Sequence, residues 1–205
     1  MINVSSEFRD KLNNGNCNYL SYADITLKDG TTLNLTNDDI WNGGVTIEDA
    51  VSSGTFEVGS VVINQCTIVI NNIYDKFTKY DFKEAVVRAQ LGTDLNETEF
   101  DIDADDETES SYTPRIEKIK KGVYTVDDTK YNGSIITLTC IDNMGKFDRA
   151  YSESKLEYPA TLKTIVMDAC DICGVTLNTP DFSHSDYIIN TRPTDAAVTF
   201  REVIA

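Results

Sequence analysis

The residues best suited to bind a metal ion lie in an acidic run, where carboxylates occupy alternate positions. Asp101, Asp103 and Asp105 have the spacing that opens an EF-hand calcium loop. That loop also needs glycine at its sixth position and a bidentate glutamate at its twelfth, where this chain has Asp106 and Tyr112. A solvated acidic loop is the favoured interpretation. The three aspartates are weak metal candidates only, and no cofactor is expected.

The second group of residues that could carry out chemistry is a Cys-x-x-Cys pair, Cys170 and Cys173. In redox enzymes such a pair lies at a helix N-terminus, where the dipole lowers the thiol pKa. Here the apolar spacing places it at the C-terminal end of a helix that stops at Gly174. No second pair completes a zinc site. We therefore expect reduced thiols packed in the core, as the odd total of five cysteines also favours.

The single histidine, His184, lies among serines and aspartates in the stretch 181–186. A Ser-His-Asp triad is recognised by its geometry in space, and its members rarely lie side by side in a chain. The sequence also lacks a Gly-x-Ser-x-Gly nucleophile elbow. The stretch is typical of a surface loop. No catalytic residue is predicted, and the chain is expected not to be an enzyme.

Two hairpins organise the elements that must position these residues. The segment 23–35 alternates on both sides of Asp29-Gly30, and the segments 122–131 and 134–143 flank Asn132-Gly133. Both dipeptides favour a hairpin because glycine takes positive φ at little cost and a primed turn matches the strand twist. We therefore predict a β-hairpin at each place.

Further runs rich in Val, Ile and Thr predict a strand or bent edge over 45–51 and strands over 61–72, 85–92 and 115–122. Asn42-Gly43-Gly44 indicates a break before the first of them. Within 61–72 the apolar phase changes near Gln65-Cys66. A change of phase swaps the buried face, so it indicates a bulge or a twist.

The character of the sequence changes at Tyr158-Pro159. Apolar residues three and four apart predict a helix over 159–173. Short strands are predicted at 175–178 and 186–190, and Pro193-Thr194-Asp195 is expected to cap a second helix that runs from 196. That helical pattern is incomplete at residue 205, so we expect the chain to be cut from a longer protein.

The balance of charge argues against several functions. With 34 acidic and 18 basic residues the formal charge is −16, so the chain would repel nucleic acid or an anionic membrane unless its cations were clustered. The densest basic stretch, Lys118, Lys120 and Lys121, is short. No apolar run approaches the roughly 20 residues that span a bilayer, and the first residues lack the order of a signal peptide. We expect a soluble intracellular product with no specific nucleic-acid binding and no membrane insertion.

Nine of the acids fall between Asp94 and Glu109, a stretch without any basic residue. Such a run repels itself and buries little surface, which predicts a long mobile loop or a weak β-arm over 93–112. Outside the run 25 acids face 18 bases, a formal charge of −7. The rest of the chain is therefore only moderately acidic.

Several short motifs follow one another in a familiar order: Asp29-Gly30, Gly43-Gly44-Val45, Phe56 to Gly59, Gly122 to Val126, and Asp142 to Asp148. In that order they resemble the N-terminal region of phage and prophage tail hub proteins. These are the baseplate or tail-tip subunits of siphophages of Gram-positive bacteria and of related contractile tails. The resemblance covers nearly the whole chain, although the acidic run matches no segment of the family.

The resemblance implies a mainly β chain, with a β-barrel-like domain over 1–157 and the beginning of a smaller α/β domain over 158–205. It implies a structural role in the virion tail, where three copies form a ring that continues the tail tube. Expected partners are further copies of the chain, the tail tube, the distal tail protein and the tape measure, with assembly in the bacterial cytoplasm. Peptidoglycan cleavage, where the family has it, belongs to separate C-terminal domains.

Two other functions stay open. A carbohydrate- or cell-wall-binding β module at the tail tip would need an exposed aromatic platform, for which Tyr74, Phe77 and Tyr80 are the candidates. A hydrolase would need a pocket with converging acids, or His184 beside a nucleophile.

Overall fold

The computed structural model describes residues 4–15, 17–48, 62–96, 113–179 and 181–204. The described chain is mainly β with a smaller helical part, which confirms the predicted fold class. Its strands are β1 (Tyr19–Thr26), β2 (Thr32–Leu35), β3 (Ile40–Glu48), β4 (Gln65–Asn71), β5 (Val86–Asp94), β6 (Ile116–Asn132), β7 (Ile135–Asp142), β8 (Ala160–Thr161) and β9 (Ile188–Ile189). Its helices are α1 (Ser6–Asn14), α2 (Leu162–Cys173) and α3 (Phe200–Ile204), with 3₁₀ helices at Asn143–Phe147 and Tyr151–Glu153.

Seven of the strands form one sheet in the order β2-β1-β5-β6-β7-β4-β3, and β8 pairs with β9 in a second, two-stranded sheet. The chain divides into two compact units that interleave along the sequence. Unit 1 comprises Met1–Val45 and Thr67–Leu138, and unit 2 comprises Thr46–Cys66 and Thr139–Ala205. The sequential domain division predicted after residue 157 stays a prediction.

The first predicted hairpin is confirmed, but its turn differs from the expected one. β1 and β2 pair antiparallel from Ala23↔Leu35 onward. A two-residue primed turn of the Asp-Gly type needs positive φ at both residues, whereas within this loop only Gly30 has it, at φ 86°. The amide of Gly30 donates to the carbonyl of Leu27 at 3.0 Å. The loop is therefore a three-residue connection in which Gly30 supplies the left-handed position.

The two strands predicted on either side of Gly122 form one continuous strand, the 17-residue β6. Ala89 of β5 faces Gly122, whereas the next residue of β5, Gln90, faces Lys120. Lys121 is thus the extra residue of a β-bulge. The bulge lets β6 pair with β5 on both sides of Lys121, from Ile116 to Thr125, where the sequence suggested two strands.

A glycine also marks the turn of the second hairpin in unit 1, whereas the Gly-Gly pair lies inside a strand. The second hairpin is confirmed, since β6 and β7 are neighbours and Gly133 between them has φ 57°. The Gly-Gly break expected before 45–51 is wrong, because both glycines lie inside β3. Gly43 has φ 70° there, as the left-handed residue of a glycine bulge does. Residues 49–51 of that predicted strand lie outside the described residues.

The strand predicted over 61–72 is shorter in the structure. β4 begins at Gln65 and buries the alternate residues Cys66, Ile68 and Ile70. The change of apolar phase thus coincides with the start of the strand, and the bulge or twist predicted near it stays a prediction. The strand predicted over 85–92 is confirmed as β5, which continues to Asp94. The loop predicted over 93–112 therefore begins two residues late, and its residues 97–112 lie outside the described residues.

No helix is predicted at the start of the chain, yet α1 has both of its caps. The Ser5 hydroxyl accepts the amide of Phe8 at 3.1 Å, and Gly15 ends the helix at φ 73°. The Ser5 amide also donates to the Glu117 carboxylate on β6 at 2.8 Å, and Phe8 is buried. The serine before an acidic first turn and the glycine after the last turn are the signals that could have predicted this helix.

In unit 2 the predicted helix is confirmed, although it begins three residues late. Thr161 is the N-cap, and its hydroxyl accepts the Thr164 amide at 3.2 Å. Pro159 therefore precedes the helix instead of opening it. Gly174 ends the helix at φ 65°, as predicted.

The last helix begins at Phe200, four residues after the predicted start. Thr199 and Glu202 form a capping box, in which the Thr199 amide donates to Glu202 Oε2 at 2.8 Å and the Glu202 amide to Thr199 Oγ1 at 3.3 Å. The cap predicted at Pro193-Thr194-Asp195 is thus wrong. β9 lies within the strand predicted at 186–190, whereas the strand predicted at 175–178 is not formed.

Candidate functional site

In the described part of the chain, the residues singled out by the sequence do not form a reactive centre. Asp101, Asp103 and Asp105 lie outside the described residues. Among the residues that are described, no group of three His, Cys, Asp or Glu side chains could hold a metal ion. His184 is exposed in a turn at φ 63°. Its carbonyl accepts the Tyr187 amide at 2.9 Å, which is a turn contact and not part of a triad.

Cys170 and Cys173 lie at the C-terminal end of α2, and both are buried. Burial raises the pKa of each thiol. A protonated thiol is a poor nucleophile and a poor metal ligand. The pair packs in one apolar cluster with Phe147 and Phe200, which agrees with the expected core role.

The aromatic residues proposed as a sugar platform do not share a surface. Phe77 is 4% exposed and Tyr74 is 91% exposed, while Tyr80 is half-buried. The buried Asn72 organises this loop, because its side chain accepts the Phe77 amide at 2.8 Å and donates to Thr78 Oγ1 at 2.9 Å. Phe77 thus anchors the loop from inside, and Tyr74 is the fully exposed ring.

One face of the sheet in unit 1 carries a hydrogen-bonded row of polar side chains. Asp24 on β1 accepts from Asn34 on β2 at 2.9 Å and from Gln90 on β5 at 2.6 Å. Arg88 on β5 donates to Thr26 on β1 at 3.1 Å. Since neighbouring residues of a strand point to opposite faces, the alternate residues of the same strands supply the core. The polar row is a surface held in a fixed arrangement.

Beside this row, β6 presents what we call the basic stripe, Lys118, Lys120 and Lys121. All three are exposed, and the Lys118 ammonium lies over the Tyr22 ring, 3.9 Å from its centroid. Neither Lys120 nor Lys121 forms a salt bridge with any described residue. Val123, which is 45% exposed, continues the strand, so the stripe combines cations with apolar surface.

Unit 2 contains a cavity of about 500 Å³, which we call the unit 2 groove. Its walls are largely aliphatic, and its polar members are Tyr158, Thr191 and Glu202. Volume and lining fall in the range of sites that bind a ligand or a partner's side chains. The aliphatic and proline residues of the wall are Leu162, Ile165, Ile189, Pro193, Val198 and Val203.

Tyr158 connects the groove to a hydrogen-bonded polar network. Its hydroxyl lies 2.6 Å from the hydroxyl of Tyr151. Burial, and then the bond to Tyr151, raise the pKa of Tyr158 far above its ordinary value, so the phenol stays neutral. Arg192 donates to the carbonyls of Tyr151 at 3.1 Å and Ser154 at 2.6 Å, and Ser154 Oγ donates to Asp168 at 2.6 Å.

The groove lining contains one carboxylate, that of Glu202. Glu202 Oε2 accepts from the amide of Thr199 at 2.8 Å and from its hydroxyl at 3.0 Å. These bonds, and then the charge of Arg201, hold the pKa of Glu202 below its ordinary value. Glu202 therefore stays ionised, with an oxygen engaged in the capping box.

The groove has the chemistry of a binding surface. A neutral phenol and a carboxylate engaged in a capping box offer no activated nucleophile beside a base. The Thr-x-x-Glu signature of that capping box could have been read from the sequence. Arg192 could not, because the carbonyls it binds lie 36 to 41 residues away along the chain.

No protein family matches the chain, and no curated protein matches it significantly. Within the described residues, none of the helices has both the length and the apolar character needed to span a bilayer.

Proposed function

We propose that this chain is a structural subunit of a phage or prophage tail, a baseplate or tail-tip hub protein whose copies form a ring that continues the tail tube. The proposal begins from the resemblance of its motifs to tail hub proteins. The observation that carries it is the mainly β fold of the described residues, in which seven strands form one sheet and β6 has 17 residues. A sheet of long paired strands suits a wall that must hold its shape.

The described side chains support binding more than catalysis. The polar row on the sheet is hydrogen-bonded within itself, and the unit 2 groove is largely aliphatic. We therefore propose that the chain is not an enzyme. Its proposed partners are further copies of itself, the tail tube, the distal tail protein and the tape measure, and its proposed location is the virion tail after assembly in the host cytoplasm.

Charge bears on which surface could line the lumen of such a ring. An acidic wall would repel passing DNA, whereas a basic one would retain it. Arg88 and the basic stripe give this part of the sheet more cations than anions, since Asp24 is the carboxylate of the polar row. We therefore assign this face to contacts between subunits, and not to the lumen.

Ring formation is tested with the protein made from its complete gene. Sedimentation velocity should show a trimer, and negative-stain images should show rings with an open centre. Antibodies raised against the chain should label the tail tip of phage particles released by the producing bacterium. A monomer at every concentration tested, together with unlabelled tails, would overturn the proposal.

A carbohydrate- or wall-binding β module is the second candidate, because three exposed residues of unit 1 could contact a ligand: Ile73, Tyr74 and Tyr131. Cell-wall pull-down should then be lost in Tyr74→Ala. Lys83→Ala is the matched control, since this residue is also exposed in the loop that joins β4 to β5. Equal recovery of both variants on cell walls would remove the reason for this candidate.

A further inference from the structure

Hydrogen bonds at both ends set the register between the neighbouring strands β4 and β7. At one end the Asp142 amide donates to the carbonyl of Asn64 at 3.0 Å, and at the other the Asn72 amide donates to the carbonyl of Ser134 at 2.7 Å. The strands are therefore antiparallel. Both have the same number of residues between these two bonds, so no extra residue interrupts the register.

This register places Cys66 of β4 directly opposite Cys140 of β7. Residues that lie opposite each other in an antiparallel pair point to the same face of the sheet. Both side chains are completely buried, with 0% exposure, and both are thiols in the structure. Two buried thiols thus meet on one face of the sheet.

The separation of such a pair suits a disulfide. Cys66 and Cys140 lie two residues along from the hydrogen-bonded pair Asn64 and Asp142, and alternate pairs are of the same kind, with Cα atoms about 5.5 Å apart. A disulfide spans Cα separations of about 4.4–6.8 Å. It also needs Cβ atoms about 3.5–4.5 Å apart, whereas those of opposite residues are about 4.5–5.5 Å apart. The bond can therefore form with a small approach of the two strands, which leaves it strained.

We propose that Cys66 and Cys140 form a reversible disulfide that joins β4 to β7 under oxidising conditions. This inference goes beyond the proposed function and does not depend on it. Strained disulfides are the ones that are most easily reduced. Reducing conditions therefore keep the two cysteines as thiols, and oxidising conditions close the bond.

The oxidant is a small-molecule disulfide such as oxidised glutathione. The thiolate of one cysteine attacks it, so that a mixed disulfide forms and one small thiol leaves. The second cysteine thiolate attacks the protein sulfur of the mixed disulfide, which forms the bond between Cys66 and Cys140 and releases a second small thiol. The two protons of the cysteines end on the two small thiols. Because both side chains are buried, the exchange takes place during folding or when the strand ends open transiently.

The bond would affect the unfolded chain more than the folded one. It closes a loop of roughly 75 residues. A closed loop of this length has fewer conformations when the protein is unfolded, which favours the folded state. The oxidised protein should therefore be more stable than the reduced one.

The test refolds the complete protein from urea in buffers with different ratios of oxidised to reduced glutathione. After alkylation and digestion, mass spectrometry should find a linked pair of peptides that contain Cys66 and Cys140. At a urea concentration near the midpoint of the transition, the ratio of unfolded to folded protein should be at least about tenfold lower for the oxidised protein. Reduced glutathione added to the folded protein should reverse both effects.

Two variants serve as controls. Cys140→Ala cannot form the bond, so its urea transition should be the same in oxidising and reducing buffers, whatever the substitution itself costs. The double variant Cys170→Ala with Cys173→Ala removes the other buried pair of cysteines and keeps the pair on the strands. It should keep both the linked peptides and the gain in stability. Circular dichroism of each variant establishes that it is folded.

Several results would overturn the proposal. One is the absence of a link between Cys66 and Cys140 at every glutathione ratio, or a link between other cysteines in its place. Another is a link that leaves the urea transition unchanged, since such a bond would not join the strands as described. A link that resists reduced glutathione would contradict its reversibility.

Discussion

Unit 1 draws its core from many strands, whereas unit 2 draws its core from a few large side chains. In unit 1 most fully buried residues occupy alternate positions of β1, β4, β5 and β7, and Phe8 of α1 and Phe82 of the loop before β5 add two large rings. The strand positions include Ala23, Ile25, Ile68, Ile70, Val87, Ile136 and Leu138. In unit 2 the buried cluster contains Phe147, Tyr151, Phe200 and the small residues of α2. The apolar burial of unit 2 is therefore concentrated in fewer places.

Both units bury polar groups that depend on hydrogen bonds. In unit 1 the bond of Asp24 to Gln90 lies on the outward face of the sheet, where water can replace it, whereas Asn72 is 2% exposed and binds the Phe77 amide inside. In unit 2 Arg192 donates to the backbone around the second 3₁₀ helix, and Ser154 with 2% exposure donates to Asp168. A hydrogen bond that is hidden from water is costly to break. We therefore expect substitutions at the buried groups of unit 2 to cost more than substitutions on the outward face of the sheet in unit 1.

The largest effect is expected at Phe200, which is fully buried and meets Tyr151 edge to face with ring centroids 5.1 Å apart. Phe200→Ala should lower the free energy of unfolding by about 3–5 kcal/mol because it leaves a cavity. Urea denaturation measures the loss, and amide exchange should locate it in α2. Met167→Ala, on an exposed position of α2, is the control and should change stability by less than about 0.5 kcal/mol. A similarly small loss at Phe200 would contradict the concentrated core.

Arg192 comes second, since its guanidinium bonds the carbonyls of Tyr151, Ser154 and Leu156. Arg192→Met keeps the stem but removes the donors, and should cost about 1.5–3 kcal/mol, as expected for bonds to a charged group. Thermal unfolding of the variant measures this. Arg192→Lys should recover only part of the loss, because an ammonium lacks the planar fork of a guanidinium. Full recovery by lysine would show that charge alone matters here.

A smaller effect is expected from Gly122 in unit 1, where a Cβ would lie 2.6 Å from the ring of the buried Tyr124. Gly122→Ala should cost about 1–3 kcal/mol by overpacking. Gly92→Ala is the matched comparison, because its Cβ would meet Tyr22 at 2.7 Å and that ring is only half-buried and can move. Chemical denaturation should rank Gly122→Ala as the worse variant. The reverse ranking would mean that the polar face of the sheet is more rigid than its core.

The smallest effect concerns α1 and depends on pH. Hydrogen bonds from the Ser5 side chain and then its amide hold the pKa of Glu117 below its ordinary value. A lowered pKa in the folded state gives stability that is complete above the ordinary pKa of about 4.3 and is lost as pH falls through the folded value. Ser5→Ala should cost about 1 kcal/mol near neutral pH through the lost N-cap and should weaken the acid dependence.

Glu117→Gln separates the two roles of this contact. It removes the titrating carboxylate but leaves the Ser5 cap on Phe8, so thermal unfolding should lose the Glu117 part of its acid dependence without losing the capping contribution. Unfolding midpoints are compared from about pH 7 down to about pH 3. An acid dependence that is identical in all three proteins would exclude Glu117 as its source.

Elements with strong local signals were predictable. The hairpin around Gly30 and the helix that ends at Gly174 both follow from glycine's access to positive φ, which is a property of the residue itself. The start of α3 was missed because the apolar pattern begins before the Thr199 cap. The bulge at Lys121 was missed because a bulge is a relation between two strands, and β6 alone does not contain it.

The candidate site was far harder to predict from the sequence than these elements were. The motifs that attract attention, Cys-x-x-Cys and the polar stretch around His184, prove to be a buried pair of thiols and an exposed turn. The unit 2 groove instead combines residues from α2, β9 and α3 that have no shared motif. Spacing along a chain reports only local geometry, whereas a groove depends on which elements pack together.

The sequence by itself determined the mainly β character, the two hairpins and the helix that ends at Gly174, because periodicity and glycine conformation act over a few residues. It also determined the excess of negative charge. Only the tertiary structure decided which side chains are hidden from water and which meet across long stretches of chain. The hydrogen bonds from Ser5 to Glu117 and from Arg192 to the carbonyl of Tyr151 are examples. Their partners lie far apart in the sequence, and only folding brings them within hydrogen-bonding distance.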